Sequence, residues 1–250
     1  MNLDRLIAVR NDKNVYRDGR KCLKVFAGTY AKSDLFREAF NQEALIEAGL
    51  NVPQVDSVSK IGDKWMIVSE YIRGKSLSQR IAEEPERRDE YLAMFTRLHK
   101  DVHKRRAPKL FPLEDRLAYM IGQTEALAPR RDSLYAMIAS LAPDEHICHG
   151  DFNLSNVLMT DEGALYIVDC AYAARGSAEF DAAVTYLLTR IRLDEEAAGL
   201  YLQLFCGTNR QKRQRVEGLV PLAAAMRLYR CFGDEHARLM RMLDIYKTCW

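Results

Sequence analysis

Residues 149–156 read HGDFNLSN and are followed by two apolar runs, 157–159 and 165–168, which flank a polar turn and lead to Asp169. Two short apolar runs around a turn that contains glycine predict a β-hairpin. The strands of a hairpin are antiparallel, so the start of the first lies opposite the end of the second. The pattern therefore predicts that Asn156 and Asp169 are brought together at the open end of the hairpin.

The side chains around this hairpin predict a magnesium site. Asn156 and Asp169 supply amide and carboxylate oxygens, and Asp151 lies in the loop just before them. Hard cations such as Mg²⁺ prefer oxygen ligands. Phosphoryl transfer needs a site of this kind, because its catalysis comes mostly from positioning and from neutralising charge on the transferred group.

The first 72 residues predict a small antiparallel sheet with one helix. A turn at Asp18-Gly19 joins two strands of a hairpin, and the helix is predicted to begin at a Ser33 cap and to end at Gly49. The predicted strands cover residues 6–9, 15–16, 21–26, 52–58 and 65–68.

After Gly74 the pattern becomes mainly helical. Helical spacing is found over 77–82, 90–102 and 113–127, and again from residue 180 to the end. We therefore predict an α+β protein with an N-terminal nucleotide-binding lobe, 1–72, and a C-terminal catalytic and substrate-binding lobe, 73–250.

Lys24 lies inside an apolar strand, on the same face as Cys22 and Phe26. A buried ammonium group needs a partner of opposite charge. The next helix offers Glu38 and Glu43, which are five positions apart and cannot share a helical face. The pattern alone leaves the choice between them open.

Taken together, these motifs resemble the aminoglycoside phosphotransferase and choline kinase-like family of small-molecule kinases, which has a protein-kinase-like, two-lobed fold. A glycine stands at the second motif position, where protein kinases have arginine. The resemblance implies that Asp151, grouped with His149 as catalytic, orients the substrate hydroxyl and accepts its proton. It also implies that Asn156 and Asp169 hold Mg²⁺ on ATP, and that Asp181 braces the catalytic loop.

The resemblance extends to the nucleotide site. Lys24 resembles the family's phosphate-binding strand lysine, and the spacing ahead of residues 49–53 favours Glu38 as its partner. A linker between the lobes would bind adenine through the backbone of Glu70, Tyr71 and Ile72.

Two segments depart from the family pattern. The loop 10–16, which should cover the phosphates, has no glycine, so close backbone approach is harder and Lys13 or Asn14 is the expected phosphate contact. Cys170 follows Asp169 where relatives often have an aromatic residue, so regulation by a flipping loop is not expected.

The composition is that of an ordinary globular protein. A net charge of +2 does not indicate nucleic-acid binding, and no apolar run is long enough to span a bilayer. The six cysteines contain no C-x-x-C pair and are expected to be reduced in a cytoplasmic protein. His99 and His103 share a helical face and are expected to cap or pack a helix, since no third metal ligand is evident.

The leading function is an ATP- and Mg²⁺-dependent phosphotransferase that moves the γ-phosphate to a hydroxyl of a sugar, phosphosugar, glycolipid or amino alcohol. An atypical protein serine/threonine kinase is disfavoured because the segment 170–180 is short and has no Ala-Pro-Glu anchor. A pseudokinase scaffold, suggested by the glycine-free loop, is opposed by the intact catalytic and metal-binding motif.

A basic C-terminal region favours a neutral or anionic acceptor over a polycationic one. Few acids oppose the basic residues of this region, which are Arg190, Arg192, Arg210, Lys212, Arg213, Arg215, Arg227, Arg230, Arg238 and Arg241.

Overall fold

The computed structural model describes residues 5–9, 12–142, 144–229, 231 and 233–245. The chain forms two compact units, one comprising Met1–Pro85 and Leu154–Ala173, the other Glu86–Asn153 and Ala174–Trp250. The expected lobes, 1–72 and 73–250, were divided only by position along the chain. In the structure, the segment after the HGD motif groups with the N-terminal residues because its strands pair with them.

The described strands and helices follow one another closely. The strands are β1 (Arg5–Val9), β2 (Lys13–Asp18), β3 (Lys21–Phe26), β4 (Val55–Ile61), β5 (Lys64–Glu70), β6 (Gly74–Ser76), β7 (His146–Cys148), β8 (Val157–Thr160), β9 (Leu165–Ile167) and β10 (Ala174–Gly176). The helices are α1 (Lys32–Glu47), α2 (Leu77–Glu83), α3 (Arg88–His103), α4 (Leu113–Gln123), α5 (Arg131–Ala139), α6 (Ala178–Arg192), α7 (Glu195–Cys206), α8 (Arg210–Gly218), α9 (Val220–Leu228) and α10 (Gly233–Ile245).

The first unit is built on an antiparallel five-stranded sheet in the order β1-β2-β3-β5-β4. The predicted Asp18-Gly19 turn joins β2 to β3, with Asp18 paired to Lys21. Alternate residues of the sheet form two apolar clusters, as the two-residue period of a strand requires. Phe26 and Ile67 pack with α1 residues, whereas Leu23, Val25, Met66 and Val68 pack together in a separate cluster.

The ends of α1 show one correct and one incorrect prediction. The helix begins at Lys32, with Ala31 at the cap and no side-chain cap hydrogen bond, so the predicted Ser33 cap is wrong. Asp34 lies in the first turn, where a carboxylate interacts favourably with the helix dipole. The predicted end at Gly49 is confirmed, since Gly49 has a φ of +79°, a conformation that favours glycine.

The next strand begins later than predicted. The pattern placed it at 52–58, but β4 begins at Val55. Pro53 lacks the N–H group that a sheet hydrogen bond needs, so residues 52–54 remain outside the ladder.

The predicted hairpin after the HGD motif is confirmed. Strands β8 and β9 are antiparallel, with Val157 opposite Ile167, and the Val168 N–H donates to the Asn156 carbonyl at 2.9 Å. Strand β6 pairs with the other edge of β8. A Cβ atom at Gly74 would lie 2.4 Å from the Met159 carbonyl oxygen, so this close approach requires glycine.

The second unit is mainly helical, as predicted. Its core includes stacked aromatic side chains from α3, from the HGD loop and from α7, such as Phe95, Phe152 and Tyr201. Strands β7 and β10 pair with each other and lie immediately before the loop and before α6. Among the described residues, no helix combines the length and the apolar character needed to cross a membrane.

One predicted helix is shorter than expected. The pattern extended it over 113–127, but α4 ends at Gln123. Thr124 has extended backbone angles, and a short 3-10 segment that contains Pro129 follows over Glu125–Arg130. Proline cannot continue an α-helical ladder.

Candidate active site

Four charged side chains meet in the first unit. The Lys24 ammonium contacts the Glu38 carboxylate, and Glu43, the other candidate partner, is exposed. Lys13 on β2 joins them, with its Nζ 2.8 Å from Asp169 Oδ1 and 3.5 Å from both carboxylate oxygens of Glu38. Two cations are thus balanced by two anions.

The charges in this cluster hold both lysines in their protonated form. Burial by itself lowers the pKa of Lys13, but the charges of Asp169 and Glu38 outweigh it and raise the pKa above its ordinary value. Burial likewise lowers the pKa of Lys24, and Glu38 makes the largest contribution that outweighs it. Breaking such a buried pair by removing one partner leaves an uncompensated charge, which is strongly destabilising.

The backbone at Asp169 has an unusual conformation. Asp169 has a φ of +66° and is the only non-glycine residue with positive φ in the described part of the chain. Asparagine and aspartate tolerate this left-handed region better than most residues. The segment that follows is held by buried Asn41 of α1, whose Nδ2 donates to the carbonyls of Cys170 at 3.1 Å and Ala173 at 3.2 Å.

A cavity of about 200 Å³ adjoins the charged cluster, and every residue that lines it belongs to the first unit. Lys13, Lys24, Asn156 and Asp169 form part of its wall. The three residues proposed for adenine binding, Glu70, Tyr71 and Ile72, also line it, together with apolar side chains that include Val15, Ile67 and Leu158.

The linker residues differ in which backbone groups are already used. The Glu70 N–H donates to the Gln54 carbonyl, and the Tyr71 N–H donates to the Arg20 carbonyl, both at 2.9 Å. Ile72 is buried against the cavity. Its N–H is therefore the candidate donor to an adenine ring.

In the second unit, Asp181 at the start of α6 binds the loop that contains the HGD motif. Its carboxylate accepts hydrogen bonds from the backbone N–H groups of His149 and Gly150, both at 2.8 Å. The same carboxylate lies 2.9 Å from His99 Nε2 and 3.1 Å from His103 Nε2. Burial raises the pKa of Asp181, but the hydrogen bonds from His103 and His99 outweigh it and hold the pKa well below its usual range.

His99 is the central residue of this network. Its Nδ1 lies 2.9 Å from the Tyr201 hydroxyl, so a neutral ring with the proton on Nε2 satisfies both neighbours. Burial, followed by the charge of His103, lowers the pKa of His99 to about 4.

His99 and His103 do more than pack a helix, because Asp181 supplies the third group that was not evident from the motif. The three potential ligand atoms lie within 4.8 Å of one another. Their separations are those of hydrogen bonds, and Asp181 also accepts two backbone N–H groups. A hydrogen-bond network therefore accounts for the cluster.

The HGD motif itself is shaped by its first two residues. His149 is fully buried, and its Nδ1 accepts a hydrogen bond from the Asp151 N–H at 3.3 Å. Gly150 has a φ of +75°, which explains why glycine suits this position. The buried position of the His149 ring indicates that it positions the loop rather than contacting a substrate.

Asp151 has basic neighbours within the second unit. Arg227 Nη1 of α9 lies 3.2 Å from Asp151 Oδ1, and Arg192 Nη2 at the end of α6 lies 3.9 Å from the same oxygen. The sequence analysis named both only as members of a basic region. No local pattern distinguishes them from the other arginines.

Other residues were missed although a signal existed. Leu35, Glu38, Gln42 and Leu45 follow helical spacing and are all buried in α1. A polar residue on an apolar stripe indicates a buried partner. Gln42 Nε2 indeed donates to the Pro53 carbonyl at 2.7 Å.

The structure thus brings together Lys24, Glu38 and Asp169 in the first unit, and His149 and Asp181 in the second. Asn14 lies in β2 beside Lys13, whereas Arg10 and Asn11 of the predicted phosphate loop lie outside the described residues.

Comparison with known proteins identifies the class of this fold. The apo structure of a thermostable mutant of the aminoglycoside phosphotransferase APH(4)-Ia has a TM-score of 0.72 and 14% identity, over 96% of this chain and 92% of that chain. A choline/ethanolamine kinase family protein from Mesorhizobium loti has a TM-score of 0.65 and 16% identity, over 99% and 87%. Choline kinase LicA from Streptococcus pneumoniae has a TM-score of 0.62 and 16% identity, over 100% and 94%. The predicted protein-kinase-like fold, with a sheet-based N-terminal part and a helical C-terminal part, is confirmed.

The family follows from the sequence match. Residues 8–219 match the phosphotransferase enzyme family, so the chain belongs to that family. No curated protein matches the chain significantly. The protein is a small-molecule phosphotransferase that acts on a hydroxyl group, as predicted.

Proposed function

We propose that the protein transfers the γ-phosphoryl group of ATP to a hydroxyl of a small molecule with the help of Mg²⁺. The observation that carries this proposal is the cluster of Lys24, Glu38, Lys13 and Asp169 beside a cavity that Asn156 also lines. A strand lysine paired with a helix glutamate, next to oxygen ligands for a metal, is the arrangement that kinases use to hold nucleotide phosphates.

The nucleotide would occupy the cavity of the first unit. Its adenine would contact apolar walls such as Val15 and Leu158 and accept a hydrogen bond from the Ile72 N–H. Lys24 and Lys13 would bind the phosphates. Lys13 would compensate for the glycine-free loop, because its charged side chain can reach phosphates that the backbone cannot approach closely.

The side chains around the cavity fit a magnesium ion. Asn156 and Asp169 offer the oxygen ligands that this ion prefers. Asp169 already has a cationic partner in Lys13 at 2.8 Å, which shows that its carboxylate attracts positive charge. When bound, magnesium would neutralise charge on the nucleotide phosphates.

Asp151 would be the general base. As the acceptor hydroxyl oxygen forms a bond to the γ-phosphorus, the bond from that phosphorus to the bridging oxygen of ADP breaks and ADP leaves with the electron pair. The hydroxyl proton passes to the Asp151 carboxylate. His149 and Asp181 would position the loop that carries this carboxylate.

The acceptor would be neutral or anionic rather than polycationic, because basic side chains approach Asp151. The described cysteines are free thiols, which is consistent with the cytoplasmic location that forms part of this proposal.

The test is ATP turnover with Mg²⁺ against a panel of sugars, phosphosugars, aminoglycosides, choline-like alcohols and proteins. Asp151→Asn should bind ATP normally but slow phosphoryl transfer by about 10² to 10⁴, the usual contribution of a general base. Turnover at the wild-type rate would show that Asp151 has been given the wrong role. Protein phosphorylation without small-molecule turnover would favour the protein-kinase alternative.

Calorimetric titration with Mg-ATP tests the metal site separately. Asp169→Ala should weaken binding more than Asn156→Ala, because it removes a full charge. The matched control is Asp63→Ala, an exposed carboxylate in the turn between β4 and β5. Undiminished affinity in both site variants would exclude the metal site.

A further inference from the structure

The Asp151 carboxylate and two guanidinium groups form a compact charged group within the second unit. Arg227 approaches the carboxylate to 3.2 Å and Arg192 to 3.9 Å, and both contact the same oxygen, Oδ1. The exposed fractions of the three side chains are 12%, 18% and 36% for Asp151, Arg227 and Arg192. All three can therefore be reached by a small solute.

The two arginines come from different helices and converge on one point. Arg192 lies in the last turn of α6, and Arg227 lies in the last turn of α9. Arg227 Nε also donates to Glu235 Oε1 of α10 at 2.7 Å. This bond fixes one side of the guanidinium and directs Nη1 towards Asp151, so the fork has a defined orientation.

A general base does not need two guanidinium groups in order to take a proton. Their charge has a clear use if the acceptor itself carries an anion beside its reacting hydroxyl. Planar guanidinium groups are well suited to phosphate and carboxylate, which they bind through paired hydrogen bonds. The anion would then engage the arginines while the Asp151 carboxylate faced the hydroxyl.

We propose that Arg227 and Arg192 bind an anionic group of the acceptor, a phosphate monoester or carboxylate that lies only a few bonds from the hydroxyl to be phosphorylated. This inference rests on the proposed function, because it assumes that Asp151 receives the hydroxyl proton. The separation follows from the contact distances: the hydroxyl on Asp151 and the anion on Arg227 would lie within roughly 5 Å of each other. The anion itself is unchanged by the reaction.

The proposal narrows the range of acceptors. A glycolipid or sugar whose charge lies far from the reacting hydroxyl would not use this pair. A polycationic acceptor would meet two cations beside the base, and such like-charge contacts oppose binding. A hydroxy acid or a small phosphosugar satisfies both requirements.

The experiment is calorimetric titration of the full chain saturated with Mg-AMP-PNP, so that added anions cannot occupy the nucleotide site. The probes are glycerol, glycerol 3-phosphate, glycerate and inorganic phosphate. We expect at least one of the two substituted anions to bind about 10- to 100-fold more tightly than glycerol, the range that charged hydrogen bonds supply. Inorganic phosphate distinguishes recognition of the free ion from recognition of an anion attached to a hydroxyl-bearing carbon chain.

Two variants and a control complete the test. Arg227→Gln and Arg192→Gln should each lower the affinity for the anionic probe about 10-fold or more and leave glycerol binding unchanged. Arg192→Gln matters because Arg227 also contacts α10, and its loss could disturb folding. The matched control is Arg213→Gln, whose side chain is 49% exposed and pairs with Glu217 on α8. It should bind all probes as the wild type does.

The inference is wrong if the anionic probes bind no more tightly than glycerol, or if both site variants bind them as the wild type does. Failure of the proposed function is seen separately, as absent binding of Mg-AMP-PNP to the wild type. In that case, the same anion titration on the nucleotide-free chain still decides whether the arginine pair binds anions.

Discussion

Replacing Asp181 by asparagine tests the network that supports the HGD loop. The buried carboxylate has three contacts on Oδ2, from the His149 N–H and the rings of His99 and His103, and one on Oδ1, from the Gly150 N–H. An amide oxygen in the Oδ2 position would keep the three contacts but remove their charge. The amide nitrogen would then face the Gly150 N–H, leaving two donors opposed.

The expected cost follows from these contacts. A hydrogen bond to a charged group is worth roughly 1.5–3 kcal/mol and a neutral one about 1 kcal/mol, so three weakened bonds and one lost bond sum to several kcal/mol. Relief of the buried charge offsets part of that sum. We expect the free energy of unfolding to fall by about 3–5 kcal/mol.

Urea unfolding followed by circular dichroism measures this loss. The matched control is Asp89→Asn, an exposed carboxylate in the first turn of α3, which should cost less than about 1 kcal/mol. A loss in Asp181→Asn no larger than that of the control would refute the view that the four contacts stabilise the loop.

Three further predictions follow from the charged and buried groups. Lys13→Met should raise the KM for Mg-ATP by about 10- to 100-fold, because it removes a charged phosphate ligand; an unchanged or lower KM would show that Lys13 only neutralises Asp169. His99 has a folded pKa of about 4 against an ordinary value of 6.5, so the unfolded chain takes up the proton first. Stability should therefore be full above pH 6.5 and fall by up to about 3 kcal/mol towards pH 4; urea midpoints that stay constant over this range would contradict it. Cys22 lines the cavity, whereas burial raises the pKa of the Cys170 thiol to about 12; peptide mapping should show alkylation of Cys22 that Mg-ATP prevents, and equal labelling of both thiols would oppose this assignment.

Local sequence patterns predicted much of the fold. The β2–β3 hairpin, the end of α1 at Gly49 and the β8–β9 hairpin depend on glycine turns and on two-residue periodicity, which act over a few residues. The errors arose at element ends. Ser33 was a plausible cap that the helix did not use, and the pattern beyond Gln123 continued where the backbone did not.

The candidate site was predicted in its residue types more than in its contacts. Asp151, Asn156 and Asp169 were identified because phosphoryl transfer needs a base and oxygen ligands in a fixed order along the chain. The partners of Asp151 and Asp181 were not identified. Arginines are common on solvated helix faces, and a histidine on a helix has no sequence signal that names its acceptor.

The sequence by itself therefore determined the hairpins, the strand lysine and the chemical identity of the catalytic motif, because each depends on neighbours within one or two turns of chain. Only the tertiary structure decided that Lys24 pairs with Glu38, that Lys13 contacts Asp169, 156 positions away, and that His99 contacts Asp181, 82 positions away. Contacts at such separations depend on how helices and strands pack. A one-dimensional pattern can require that a buried charge has a partner, but only packing decides which group comes within hydrogen-bond distance of it.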